Sequence, residues 1–324
     1  MTTARVPRHR QRGALIAAWL LLTALVLPAC GLGSGDEAAN DSVRLTVTKN
    51  FGTEDVVSAN DQSARPGDTA LKLLDRNAEV ETAYGGGFVQ AVNGTEGTGR
   101  SGGGNRRLYD WFFYVNGIES PVGAEEYALK DGDWVWWDYR EWTAAQQVPA
   151  VVGLFPEPFV HGFEGKRFPT RIDCLGRSGD CQAVSDALGD QDISASIAAE
   201  RVRAGSEVLR VVVGTWDKVR EDRAAAKLAD GPEASGVFAA FEGKGDGTEL
   251  AVLDTRGDET RRLGPGAGLV AAVALSDSQP VWVVTGVDDA GVEAAVELLE
   301  PESLRTSYAV AVEPEGRPVP VPVP

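Results

Sequence analysis

Histidine, methionine and cysteine are nearly missing from these 324 residues, which hold two His, one Met and three Cys. The shortage of histidine removes the commonest general base and metal ligand. Beyond His9 near the N-terminus, only His161 is left. Neither H-E-x-x-H nor S-x-x-K occurs, so zinc-hydrolase and Ser-Lys chemistry lack a sequence basis. Glycine runs at Gly85-Gly86-Gly87 and Gly102-Gly103-Gly104 lack the G-K-[ST] that a phosphate-cradling loop needs, and Gly94-x-x-Gly97-x-Gly99 departs from the dinucleotide pattern. These runs read as loops that could border a ligand site. The expectation is a protein that is not an enzyme and carries neither cofactor nor metal. Basic charge is also short: 31 Lys and Arg face 48 Asp and Glu, a formal charge of −17. That balance argues against nucleic acid and anionic lipid headgroups as partners.

Long apolar runs are absent except for Ala14–Val26, which is short of the ~20 residues of a membrane-spanning helix. It follows Arg5, Arg8, Arg10 and Arg12 and precedes Leu27-Pro28-Ala29-Cys30. This order is that of a signal peptide, and its end resembles a bacterial lipobox. The resemblance implies cleavage after residues 1–29 and acylation of Cys30. The lipid bilayer would then be a partner through Cys30, and the chain would sit on the extracytoplasmic face of the cell membrane. Cleavage removes four basic and no acidic residues, leaving 27 against 48 and a formal charge of −21. In that oxidising compartment Cys174 and Cys181, seven apart, are expected to form a local disulfide.

Residues 30–42 are small and polar and read as a flexible tether. Residues 43–145 form a first domain, and 146–170, interrupted by Phe155-Pro156-Glu157-Pro158, a linker. Residues 171–313 form a second domain, and 314–324, alternating Pro and Val, a disordered tail. In the first domain Val43–Lys49 alternates as a strand. Pro66-Gly67-Asp68 caps a helix over Thr69–Asn77 with Leu71 and Leu74 inward, and Asn116-Gly117 closes a hairpin. In the second, a strand at Glu207–Val213, a cap at Asp217, a helix over Lys218–Leu228 and a strand at Val237–Phe241 succeed one another. The order repeats at Val281–Val284, Asp288, Ala290–Leu299 and Tyr308–Val312, with 20 residues from cap to strand both times. Two β-α-β units, by duplication or by chance, with a hairpin over Leu250–Leu263 between them predict an α/β sandwich, ferredoxin-like in arrangement. The fold class is thus α+β.

The run Trp111-x-Phe113-Tyr114-Val115-Asn116-Gly117, followed by Tyr127-x-Leu129-Lys130-Asp131-Gly132-Asp133-x-Val135-x-Trp137-x-Tyr139, resembles the C-terminal domain of transcobalamin and intrinsic factor. This module also occurs alone in bacterial surface proteins and is designated DUF4430. The resemblance covers about Val43–Trp142 and implies a β-grasp-like fold, a sheet wrapped on one helix. In the vitamin carriers the module closes over cobalamin opposite a helical barrel. No such barrel is present here, and a shared fold does not carry function with it.

Five of eight tryptophans, Trp111, Trp134, Trp136, Trp137 and Trp142, lie within 32 residues. On a strand Trp134 and Trp136 face one way and Trp137 and Tyr139 the other. One set fills the β-grasp core. The other is exposed, docks on the second domain, or meets a flat ligand. Trp134, Trp136, Trp137, Tyr139 and Tyr114 are therefore the candidate ligand contacts. Two functions stay open: capture of a small ligand such as cobalamin for a membrane transporter, or a surface adaptor for protein or envelope polymer.

Overall fold

The computed structural model describes residues 42–84, 87–99, 107–199, 207–275 and 279–324. The expected leader, residues 1–29, and Cys30 lie outside the described residues. The fold is α+β with several sheets, two of them large.

The first lobe opens with β1 (Ser42–Lys49) and β2 (Glu54–Ser63), then α1 (Ala70–Asp75). A small sheet of β3 (Val80–Ala83), β4 (Phe88–Val92) and β5 (Thr95–Glu96) follows, and then β6 (Tyr109–Val115), β7 (Ile118–Glu119) and β8 (Trp134–Glu141). The main sheet has the order β2-β1-β8-β6-β7, with β1 and β8 parallel at its centre. Asn116 (φ 52°) and Gly117 (φ 78°) make the hairpin turn, since both positions need positive φ. The helix is shorter than expected: Thr69 rather than Asp68 caps it, accepting from the Lys72 amide, and Ala70, Leu73 and Leu74 are buried, with Leu71 packed at the edge of the same core. Asp68 is instead held by the Arg65 amide and Arg76.

The second lobe comprises β9 (Thr170–Cys174), α2 (Ser178–Gly189), β10 (Ala195–Ala198), β11 (Leu209–Thr215), α3 (Trp216–Val219) and α4 (Pro232–Ser235). Next come β12 (Ala239–Glu242), β13 (Glu249–Leu253), β14 (Glu259–Leu263), β15 (Gly268–Val273) and β16 (Val281–Gly286). Last are α5 (Asp289–Val296), α6 (Pro301–Leu304), β17 (Ala309–Val312) and β18 (Pro318–Val321). Seven strands form one sheet in the order β10-β9-β11-β16-β15-β17-β18. Its first four run parallel, which replaces the ferredoxin-like arrangement. The inner strands are buried on both faces and largely apolar, as parallel strands covered on both sides are, with Arg210 the charged exception on β11.

Only one of the two expected β-α-β units survives. Asp288 caps α5 by accepting from the Gly291 amide at 2.9 Å, and β16 and β17 flank β15 in one sheet. The earlier unit dissolves because β12 leaves for a separate β12-β13-β14 sheet. There the expected helix breaks into one α-turn after Thr215 and a separate 3-10 helix over Ala225–Ala229, and Asp217 accepts the Gly245 amide instead of capping. A β-α-β unit passed over in the sequence, β9-α2-β10, lies upstream and carries the Cys174–Cys181 disulfide.

Two segments read as loose are structural. In the linker, Val148, Val151, Val152, Leu154 and Phe155 are buried, and its backbone bonds reach both lobes: the Val151 amide to the Gly117 carbonyl at 2.9 Å and the Thr306 amide to the Gly153 carbonyl at 3.0 Å. Its prolines break periodicity, but its apolar residues still demand burial. The Pro-Val tail is β18, an antiparallel edge strand on β17. Val319 and Val321 point inward while Pro318 and Pro320 point out, and an edge is where a strand tolerates residues without an N–H.

Candidate functional site

The two faces of the first lobe's sheet have different partners, and this decides where its aromatics go. The face that meets α1 carries Trp111, Val135 and Trp137 over Leu73 and Leu74. Trp137 is 2% exposed and stacks on Phe113 at 4.8 Å. Tyr139 is half-buried, stacked on Tyr109, with its hydroxyl donating to the Glu96 carbonyl at 3.0 Å.

The opposite face docks on the second lobe. Tyr114 and Trp136 are fully buried and pack with Phe51, Phe238 and Tyr308 in a core shared by both lobes. Trp136 donates its indole N–H to Thr48 Oγ1 at 2.8 Å. Trp134 is half-buried with the Arg44 guanidinium 4.1 Å over its ring. Asp138, bonded to Tyr308 at the junction of the lobes, is fully buried. It accepts from Thr48 Oγ1 (2.6 Å), the Phe51 amide (3.0 Å), the Gly52 amide (3.2 Å) and Tyr308 Oη (3.0 Å). Burial raises its pKa despite those donors. Gly52 (φ 82°) has to be glycine, because a Cβ there would lie 1.8 Å from the Thr306 carbonyl oxygen. The structure thus gives Trp136, Trp137 and Tyr114 protein neighbours on every side. A ligand could reach Trp136 or Tyr114 only if the lobes parted.

Aromatic surface remains elsewhere. Along β6, a cavity of about 370 Å³ is lined by Tyr84, Phe88, Gly99, Asp110, Trp111, Phe112, Trp142 and Gln146, within the size range of small-molecule sites. Tyr84 is 93% and Phe88 38% exposed, so both stand at the rim. Phe112 and Trp142 are half-buried and form the wall. Trp111 is buried and anchored by its indole N–H to the Thr95 carbonyl at 3.0 Å.

Asp110 is the one acid of this cavity and only 9% exposed. Its Oδ2 accepts the Trp142 indole N–H at 2.8 Å, while Oδ1 is buried without a well-formed hydrogen bond. Burial raises its pKa, opposed by the Trp142 N–H and the nearby Gly99 amide. Gly97 lets the carboxylate pack closely, for a Cβ there would fall 2.4 Å from Oδ1. Asp110 pairs in register with Arg140 across β6 and β8, yet Arg140 does not neutralise it. The Arg140 guanidinium lies 3.8 Å from the Phe112 ring centre and donates to the Ala145 (2.7 Å) and Gln146 (3.1 Å) carbonyls.

Such a cavity can bind and orient a flat molecule. Its lining carries one carboxylate, Asp110, and one phenol, Tyr84, at the rim. Sequence reasoning marked Trp111 and Trp142 as part of the aromatic surplus but missed Asp110, Phe112, Phe88 and Tyr84 as companions. The available signal was an acid inside the aromatic strand Tyr109–Val115.

Residues 67–141 match the model of a family described as a domain of unknown function, DUF4430. The crystal structure of a Ruminococcus gnavus protein, provisionally called metal-binding, aligns with 31% of this chain and 97% of its own at 18% identity and a TM-score of 0.24. Among curated proteins no significant match was found.

Proposed function

We propose that this chain is an extracytoplasmic, lipid-anchored protein whose DUF4430 domain captures a small flat ligand, cobalamin or another vitamin or cofactor, for a membrane importer. The observation that carries the reading is the open aromatic cavity along β6, where Tyr84, Phe88 and Trp142 stand outside both the α1 core and the core shared with the second lobe. The likeness of the Trp111–Gly117 and Tyr127–Tyr139 runs to the transcobalamin module supports a vitamin-class ligand. A whole bicyclic ring fits the cavity. Of a macrocycle such as cobalamin only one edge would enter, with Tyr84 and Phe88 flanking it. Anchoring through Cys30 rests on the lipobox-like Leu27-Pro28-Ala29-Cys30.

The test is titration of the full chain in mild detergent with cobalamin, read by co-elution and tryptophan quenching. One-to-one co-elution with quenching, weakened by Phe88→Ala, is the expected result. Absence of binding at high micromolar concentration would discard cobalamin. A wild-type affinity unchanged in Phe88→Ala would move the site away from this cavity. Intact mass of membrane-extracted protein tests the anchor: a diacylglycerol adduct on a chain starting at Cys30 is expected, and an unmodified N-terminus would refute it.

A further inference from the structure

We propose that the cavity along β6 selects positively charged flat ligands, with the Asp110 carboxylate as their counter-ion; the inference rests on the reading of that cavity as a ligand site. Three observations converge. The carboxylate is nine-tenths buried in an aromatic wall, where an unpaired charge is unfavourable unless something neutralises it. Among the described residues no Arg, Lys or His forms an ion pair with it. Its register partner Arg140 is drawn away by the Phe112 ring and two backbone carbonyls. Its one firm protein donor is the neutral Trp142 indole on Oδ2, which leaves Oδ1 buried and without a good donor.

The surrounding rings complete the argument. Phe88 and Trp142 present π-systems whose faces attract cations, and that attraction grows with desolvation, while one face of Phe112 is already taken by Arg140. A flat cation would therefore meet aromatic faces along its body and Asp110 at the cavity wall. A neutral ring of the same shape would gain only the stacking. An anion would be repelled.

The experiment compares three bicyclic probes on the full chain in mild detergent by calorimetry: 1-methylquinolinium, neutral 1-methyl-2-quinolone and anionic quinoline-2-carboxylate. The cation is expected to bind at least tenfold tighter than the quinolone, and the anion not measurably. In Asp110→Asn the acceptor for Trp142 is kept and the charge is lost, so the cation should fall to the quinolone's level. Phe88→Ala should weaken both bound probes by a similar factor. Equal wild-type affinity for cation and quinolone would overturn the charge selectivity while leaving a flat-ligand site in place. Binding of none of the three would overturn the cavity as a ligand site altogether. Should Asp110→Asn fail to fold, the wild-type ratio of the two affinities decides the case.

Discussion

Tyr308 donates its hydroxyl to Asp138 Oδ2 at 3.0 Å, from the strand entry of the second lobe to the central strand of the first. Both residues are fully buried, and Tyr308 also meets Trp136 edge-on at 5.4 Å. The lobes are therefore joined by core packing around a polar pin, with an apolar strap between them. Removing the pin leaves the Phe51 amide as the remaining donor to Oδ2. Tyr308→Phe is expected to cost about 1–3 kcal/mol, the usual penalty for depriving a buried acceptor of its partner. Urea unfolding measures it, and an unchanged midpoint would show the pin to be dispensable.

Trp136 belongs to the shared core and has no solvent face. Trp136→Ala is expected to destabilise the whole unit by about 3–5 kcal/mol, as large aromatic truncations in cores do. The loss of a polar contact adds to this, since the Thr48 hydroxyl loses the indole that donates to it. Differential scanning calorimetry should show one lowered transition. A variant that keeps wild-type stability but loses ligand would contradict the docked placement of this ring.

Glu119 supplies a pH signature. Burial pushes its pKa up to about 7, against the opposing pull of Arg140 and the Val148 amide. A carboxyl that prefers its proton in the folded state contributes stability that is full below its ordinary pKa and lost as the pH rises through the folded value. Melting temperature should thus fall between pH 5 and 8, and Glu119→Gln should flatten part of that fall. Asp133, raised to about 6 by burial, contributes a slope of the same sign that the variant retains. Parallel melting curves for wild type and Glu119→Gln across this range would refute the assignment.

The C-terminal strand is expected to be indispensable. Deleting Pro318–Pro324 uncovers β17 and removes Val319 and Val321 from the core. The loss should be at least about 3 kcal/mol, taking ~1.5 kcal/mol or more for each buried valine. Chemical denaturation of the truncated chain checks this, and full stability without the strand would return the segment to the status of a tail.

Much of the first lobe was legible because its cues are local. Alternation at Val43, Leu45 and Val47, the positive-φ pair Asn116-Gly117 and the two-faced aromatic strand Trp134–Tyr139 depend on neighbours within a few residues. The same holds for the Asp288 cap, the Leu250–Leu263 hairpin and the Cys174–Cys181 bridge. What the sequence could not rank were fates that depend on a distant partner. Trp134–Tyr139 read equally well as core, dock or ligand surface. The arrival of Phe238, about a hundred residues away, and of Tyr308, farther still, made one of its faces a lobe junction.

The same division explains the errors. Val237–Phe241 has the composition of a sheet strand, but which sheet takes it is a matter of long-range pairing. Prolines in 146–170 and 314–324 signal interrupted regular structure, and the sequence says nothing of whether the valines beside them find a core. Asp110 carried one local mark, an acid inside an aromatic strand, and that mark says nothing of its burial or its missing cation. Its burial follows from β6 lying beside β8 and β4, and its lack of a cation follows from Arg140 turning toward Phe112 and the carbonyls of 145 and 146. Local chemistry, then, settled the elements and their caps, because turn geometry and side-chain periodicity act within a few residues. Tertiary structure alone decided which apolar face met protein and which stayed open to a ligand, because burial is a property of what arrives from elsewhere in the chain.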